Sequence, residues 1–363
     1  MKKFFTPTLV VIMTMLFGMV SSCGNNDNSN TNSSNTDKPS SLPRAKVYVA
    51  NEAGGSVSVI DLQDSLKTTS IDLSDSAGTM FMAHNVQVAP NGKSVWVAAA
   101  GMDSSKTNYL IVIDPNSGTI KERVLLGKDL HVAHVVLDDQ SKNAFVTAGE
   151  TNEVIQVDAT TYQVVRKFDL GAKHAPHGLR YANGKLYVAN MDGKSMSVIT
   201  VADGKVTDIP LGGIAPQVAV TRDDKFIFIS LYDTKEVIQY DLKNGQLNRI
   251  PLPATAQGPI QLYATPDSKL LYVADQGELL GRPVSNEVYV IDIPNAKVIS
   301  TIKVGKKAHG VVASNDGKSV YVTNTIDNTV SVIDVASQKV IHTIPVGKGP
   351  NGISYWFETG GMP

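Results

Sequence analysis

Four of the seven histidines, His84, His134, His177 and His309, stand at the heads of recurring apolar segments, so a fold that gathers those segments would gather the rings. Neutral imidazoles from separate segments, each offering one strong nitrogen donor to a shared cavity, are what a transition metal needs. Met80 and Met82 precede His84, and Met102 and Met191 lie in nearby loop sequence. Soft sulfur beside imidazole favours copper over calcium or magnesium. The same rings could serve haem, although not covalently bound haem: Cys23 is the single cysteine, which also rules out an internal disulfide. The plainer alternative is that each ring hydrogen-bonds a neighbouring segment and that the Met-Phe-Met run only packs.

What must position these residues is a repeat. The segments Val47–Asn51, Val95–Ala99, Ala144–Ala148, Leu186–Asn190, Ile227–Leu231, Leu271–Asp275 and Val320–Asn324 share one pattern, and their aromatic residues are spaced by 48, 49, 42, 41, 44 and 49 positions. A period of this size indicates a radial or solenoid array. The last unit shows three further β-like runs: His309 to Ala313, joined by the turn Asn315-Asp316-Gly317-Lys318, then Thr329 to Asp334, then Lys339 to Val346. The third run ends in Asp at Asp61, Asp114, Asp158, Asp241, Asp292 and Asp334, with Thr200 the exception. A short acceptor there closes the next turn on its own backbone, so these carboxylates are turn devices rather than acid catalysts. No helical apolar period of useful length occurs, and the chain reads as all-β, a seven-bladed β-propeller of four-stranded blades.

The first repeated segment has no strand before it. Its partner is expected at the far end, where Gly349 to Tyr355 matches Lys307 to Ala313, so the C-terminal strand should complete the first blade and remove open edges. Aligning the units places His84, His177 and His309 at one equivalent point at the start of the innermost strand, and His134 one position later, at the place of Gly310. Pro216, Ile260 and Asn351 occupy that point in the other blades. Inner strands line the channel, so the four rings should crowd one mouth. His131 and His174 fall in the loops just upstream, and His342 on an outer strand.

Loop lengths point to the same face. From the residue after the second Val of the repeated segment to the end of the next strand takes 12 residues in five blades, 17 in blade two (Ala98 to Asp114) and 19 in blade six (Ala274 to Asp292). The insertions around Gly101 to Lys106 and Gly277 to Pro283 should overlook the histidine mouth, where added length on one face carries binding specificity. Neutral drift of surface loops would give the same lengths.

The Tyr-Val-Thr-Asn at 321–324, the Thr-Val-Ser-Val-Ile-Asp at 329–334 and the His-Gly-Val at 309–311 resemble the bacterial YVTN-repeat, or YncE-like, β-propeller family, over roughly residues 45 to 357. That family is similar, at greater distance, to lactonase-type propellers and to the propellers of haem d1 and nitrous oxide enzymes, so the resemblance implies fold and selects no chemistry.

The chain opens with Lys2 and Lys3, an apolar run from Leu9 to Val20 and then Ser21-Ser22-Cys23. This describes a signal peptide over 1–22, too short to span a bilayer, with a lipobox-like end that leaves Cys23 to carry the lipid. The stretch 23–44 is mostly Asn, Ser, Thr, Asp and Gly and reads as a flexible tether with a reach on the order of 25 Å before a propeller over 45–358. An exported protein anchored at the cell envelope is expected, on the outer-membrane or periplasmic side in a Gram-negative cell. The formal charge is −1, or −3 once Lys2 and Lys3 are lost, so no strong field gathers nucleic acid. Gly127-Lys128, Gly305-Lys306 and Gly347-Lys348 lack the rest of a phosphate loop and read as turns.

Three functions stay open. The first is a lipid-anchored binding module whose histidine face takes a small molecule, a peptide or an envelope protein. The second is a copper-like or haem-dependent redox protein using His84, His134, His177 and His309, with Met80 or Met82. The third is a lactonase-like hydrolase, for which Glu150, Asp275 and Glu278 are the available acidic groups near the mouth.

Overall fold

Each repeated segment forms the second strand of a four-stranded antiparallel sheet, and its side chains are buried on both faces: Val47, Tyr48, Val49 and Ala50 are enclosed, as are Val320 to Asn324. Burial on both faces follows from sheets that stack on one another around an axis. The computed structural model describes residues 44–102 and 106–358, which form seven such sheets in a ring. The seventh blade is Ala308–Ala313, Ser319–Asn324, Thr329–Asp334 and Lys339–Pro345, from the channel outward. Outermost strands such as Lys67–Asp72 and Lys339–Pro345 are mostly exposed.

The hydrophobic core lies between blades rather than at the centre, as seven clusters, one at each interface. Val136, Phe145 and Phe168 of the third blade meet Leu179, Leu186 and Val188 of the fourth, for example. The last interface is made by Val312, Tyr321 and Val330 of blade seven against Val47, Ile60, Ile353 and Tyr355 of blade one. Closure is as the repeat predicts. Pro350–Phe357 pairs antiparallel with Ala45–Asn51, Tyr48 opposite Ser354, and becomes the inner strand of the first blade.

The repeat residues have separable tasks. Asn324 donates its amide to Thr329 Oγ1 (2.9 Å) and Ser331 Oγ (2.9 Å), pinning its strand to the next one. Asn51 does the same with Ser56 and Ser58, and Asn190 with Ser195 and Ser197. The hydroxyl one residue earlier reaches the next blade. Thr147 donates to the His177 carbonyl (2.7 Å), Ser230 to that of Ile260 (2.6 Å) and Thr323 to that of Asn351 (2.8 Å). These three bonds land on the point where the alignment places the histidines, so they set how far each inner strand sits along the channel. The turn role of the strand-ending aspartates is also seen: Asp61, Asp114, Asp158 and Asp241 each accept from the backbone two and three residues on.

The expected signal peptide, Cys23 and nearly all of the tether lie outside the described residues, as do residues 103–105 of the blade-two insertion.

Candidate metal centre

At the head of the inner strand the pairing with the second strand slips. The register shifts between Ala83 and Asn85, Val132 and Val135, Pro176 and Leu179, and Ala308 and Val311. Each interval contains one of the four histidines, so each stands in a bulge, where a side chain is released from strand alternation and re-aimed. The bulge also explains why His134, one position late, still reaches the channel. Glycine after His177 and His309 is required by close approach: a Cβ on Gly178 would stand 2.1 Å from Gln217 Oε1, and one on Gly310 2.3 Å from the Asn351 carbonyl oxygen.

His84, His134 and His177, from blades two, three and four, form a near-equilateral group. Ring centroids are 5.7 Å (84 to 134), 5.2 Å (84 to 177) and 5.1 Å (134 to 177) apart. One ligand nitrogen from each lies within 4.8 Å of the others. His309 is outside this group. Its Nδ1 faces Gln276 Oε1 at 2.5 Å.

Hydrogen bonds assign the tautomers. His177 Nδ1 lies 2.8 Å from the Pro216 carbonyl, which only accepts, so Nδ1 carries the proton and Nε2 is a lone pair. His84 Nδ1 lies 3.0 Å from Glu52 Oε1, and Glu52 also accepts from Asn351 Nδ2 at 2.6 Å. Burial would raise the Glu52 carboxyl, but the hydrogen bond and charge of His84, with help from Asn351 and His309, hold it down at about 2. An ionised Glu52 fixes a proton on His84 Nδ1, so its Nε2 either is a lone pair or carries the second proton of an imidazolium. The two Nε2 atoms face each other at 3.3 Å. The His177 lone pair is therefore met either by a proton on His84 Nε2 or by a metal ion held between the two nitrogens. The Gln217 amide donates to the ring edge of His134, 3.2 Å from Nδ1.

Burial, with neighbouring imidazole charge, pulls His134 well below the usual histidine range and brings His177 and His309 to about 3. The unfolded chain therefore binds protons at these positions before the folded ring does. The stability due to these neutral rings is fully present above about pH 6.5 and is lost as pH falls from there toward 3. Metal-free protein should lose stability between pH 6.5 and 4.5, with each of the three rings adding a slope of up to about 1.4 kcal/mol per pH unit. Urea unfolding midpoints across that window check this; a flat profile would contradict the buried neutral rings.

Other sequence-marked residues are placed as follows. Met80 and Met82 are 48% and 39% exposed on the rim of blade two. His131 stands beside the group, its ring 6.4 Å from that of His84, and His174 is tied to the Gly171 carbonyl. His342 is on an outer strand and exposed. Asp275 accepts from the backbone of Gln257 and Gly258 on the loop that enters the inner strand of its blade, and Glu278 pairs with Lys307. Glu150 borders an opening of about 370 Å³ beside His177, with His131, Lys173 and Asp192. The blade-six insertion folds onto blade five, Arg282 donating to the carbonyls of Tyr232, Gln257 and Asp233.

Sequence reading missed Glu52, Gln276 and Gln217. A signal was present. Glu52 and Gln276 occupy the same repeat position, one past Asn51 and Asp275, and each accepts from the inner-strand histidine of the following blade.

The sequence matches the family described as YNCE-like beta-propeller over residues 35–358, and comparison with curated protein sequences returned no match. Among solved structures, the ring is similar to hydrazine synthase of Kuenenia stuttgartiensis, with TM-score 0.64 and 15% identity over 74% of this chain and 88% of that one. It is likewise similar to a streptogramin B lyase, with TM-score 0.62 and 14% identity over 87% of this chain and 96% of that one. Virginiamycin B lyase from Staphylococcus aureus, solved with quinupristin in a catalytically inactive histidine-to-alanine form, gives TM-score 0.63 and 18% identity over 77% and 92%. At these identities the likeness is one of fold.

Proposed function

The chain belongs to the YncE-like β-propeller family, and from that premise we propose that it is a cell-envelope binding protein holding a divalent transition-metal ion at one channel mouth through His84, His134 and His177. The shape selects no chemistry, so the reading rests on the imidazoles. The observation that carries it is the pair of facing Nε2 atoms at 3.3 Å within a three-histidine group. Two nitrogens bound at about 2.0–2.1 Å to a tetrahedral ion are themselves separated by about 3.3 Å. Glu52 behind His84 and the Pro216 carbonyl behind His177 are outer partners of the kind that orient metal-binding imidazoles and raise their basicity. A set of neutral imidazoles suits copper, zinc, nickel or iron.

A bound ion would supply a positive centre to which a lone-pair donor on a small molecule or peptide could dock. The opening lined by His131 and His177 gives access to it. Lipid on Cys23 and the polar tether would hold this face near a membrane while leaving it free to reorient.

Metal titration of the mature chain, purified without an affinity tag and stripped by chelator, tests the reading. One equivalent should bind, with Cu²⁺ tighter than Zn²⁺ in the usual divalent order. Failure to take up either ion, with the His84 ring found as an imidazolium at neutral pH, would put a proton in place of the metal and end this proposal.

A further inference from the structure

The channel has a second opening. At the end of the inner strands away from the histidines lies a cavity of about 230 Å³ whose lining includes Gln87, Arg180 and Tyr263, with Asp139, Arg222 and Asp224 from the turns around it. This is smaller than the roughly 300–1,000 Å³ typical of sites for drug-sized molecules, which limits it to a small ligand.

Arg180 is the unusual group in it. Among the described residues it enters no ion pair, and its Nη1 donates to the carbonyl of the preceding Leu179 (2.9 Å). A guanidinium carries five N–H donors in a fork that matches an oxyanion, and the half-buried Arg180 turns that fork to the cavity. Burial lowers its pKa. Its positive charge is felt as far along the channel as His134.

We infer that this cavity binds a small monocarboxylate, its two oxygens held by the Arg180 fork. Asp139 and Asp224 set the charge limit. Burial and the charges of Asp224 and Asp138 raise the Asp139 carboxyl. These two carboxylates, only partly offset by Arg222, oppose a second negative charge on the ligand, which favours a monocarboxylate over phosphate. Tyr181 and Tyr263 in the wall suit an apolar or aromatic body.

Titration of the metal-free chain with benzoate, in chelator so that the histidine mouth is empty, reads the site directly through the Arg180 Nε–Hε resonance. Benzoate should shift it saturably, benzamide should not, and inorganic phosphate should compete poorly. Arg180→Gln should weaken benzoate binding at least about tenfold and Arg180→Lys less, since the charge stays and the fork is lost. No shift of that resonance, equal binding of benzamide, phosphate binding as tight as benzoate, or unchanged affinity in Arg180→Gln protein with a wild-type unfolding midpoint would each overturn the proposal.

Discussion

A chain ending at Gly349 should fail to fold as a stable ring. The strand Pro350–Phe357 supplies the inner edge of blade one, and its removal would expose the backbone of Ala45–Asn51 along one side. It would also open two of the seven inter-blade clusters. Ile353 and Tyr355 belong to the cluster with blade seven, and Trp356 to the one with blade two. Trp356 is buried, donates from Nε1 to the Gly92 carbonyl (2.8 Å) and lies under the Lys46 ammonium.

Replacing one large buried aromatic by alanine costs about 3–5 kcal/mol, and a whole domain is stable by only about 5–15 kcal/mol. Loss of all three side chains and a ladder of hydrogen bonds therefore consumes the margin. Truncated protein should show no cooperative unfolding transition, whereas Trp356→Ala should keep the ring and lower the urea midpoint. A truncated chain melting with the wild-type midpoint would mean that the velcro-like closure carries no stability.

His177→Ala should abolish metal uptake, and Glu52→Gln should weaken it about 10–100-fold. The two substitutions separate ligand from support. His177 offers its Nε2 directly, while Glu52 touches only the far nitrogen of His84, where it fixes the tautomer and makes the ring a better donor. Glutamine keeps the shape and an acceptor oxygen but removes the charge. His309→Ala provides the contrast: its ring bonds Gln276 and stands outside the three-histidine group, so metal affinity should stay near wild type. Calorimetric affinities for Cu²⁺ and Zn²⁺ on the three variants check the assignment. If His309→Ala lost as much affinity as His177→Ala, the site would be differently composed.

Much of the architecture was legible because a propeller repeats one local solution. The alternation in Val320–Asn324, the Asp at the end of the third strand and the unpaired first segment are local signals, and each copy repeats them, so blade count and closure could be read along the chain. The tasks of the repeat's Asn and Thr came from the structure, where their partners lie within the hairpin or one blade on.

The sequence alone determined the ring, its sealing strand, and the depth at which His84, His134, His177 and His309 enter the channel. Tertiary structure alone decided which rings meet. A bulge at each inner-strand head lets a side chain swing to either side, and the neighbouring blade settles the choice: Glu52 and Pro216 turn His84 and His177 toward each other, while Gln276 takes His309. Those partners are 32, 39 and 33 residues distant in sequence. Arg180 shows the same limit, because a guanidinium with no ion pair among the described residues is a property of what surrounds it, and its surroundings come from several blades at once.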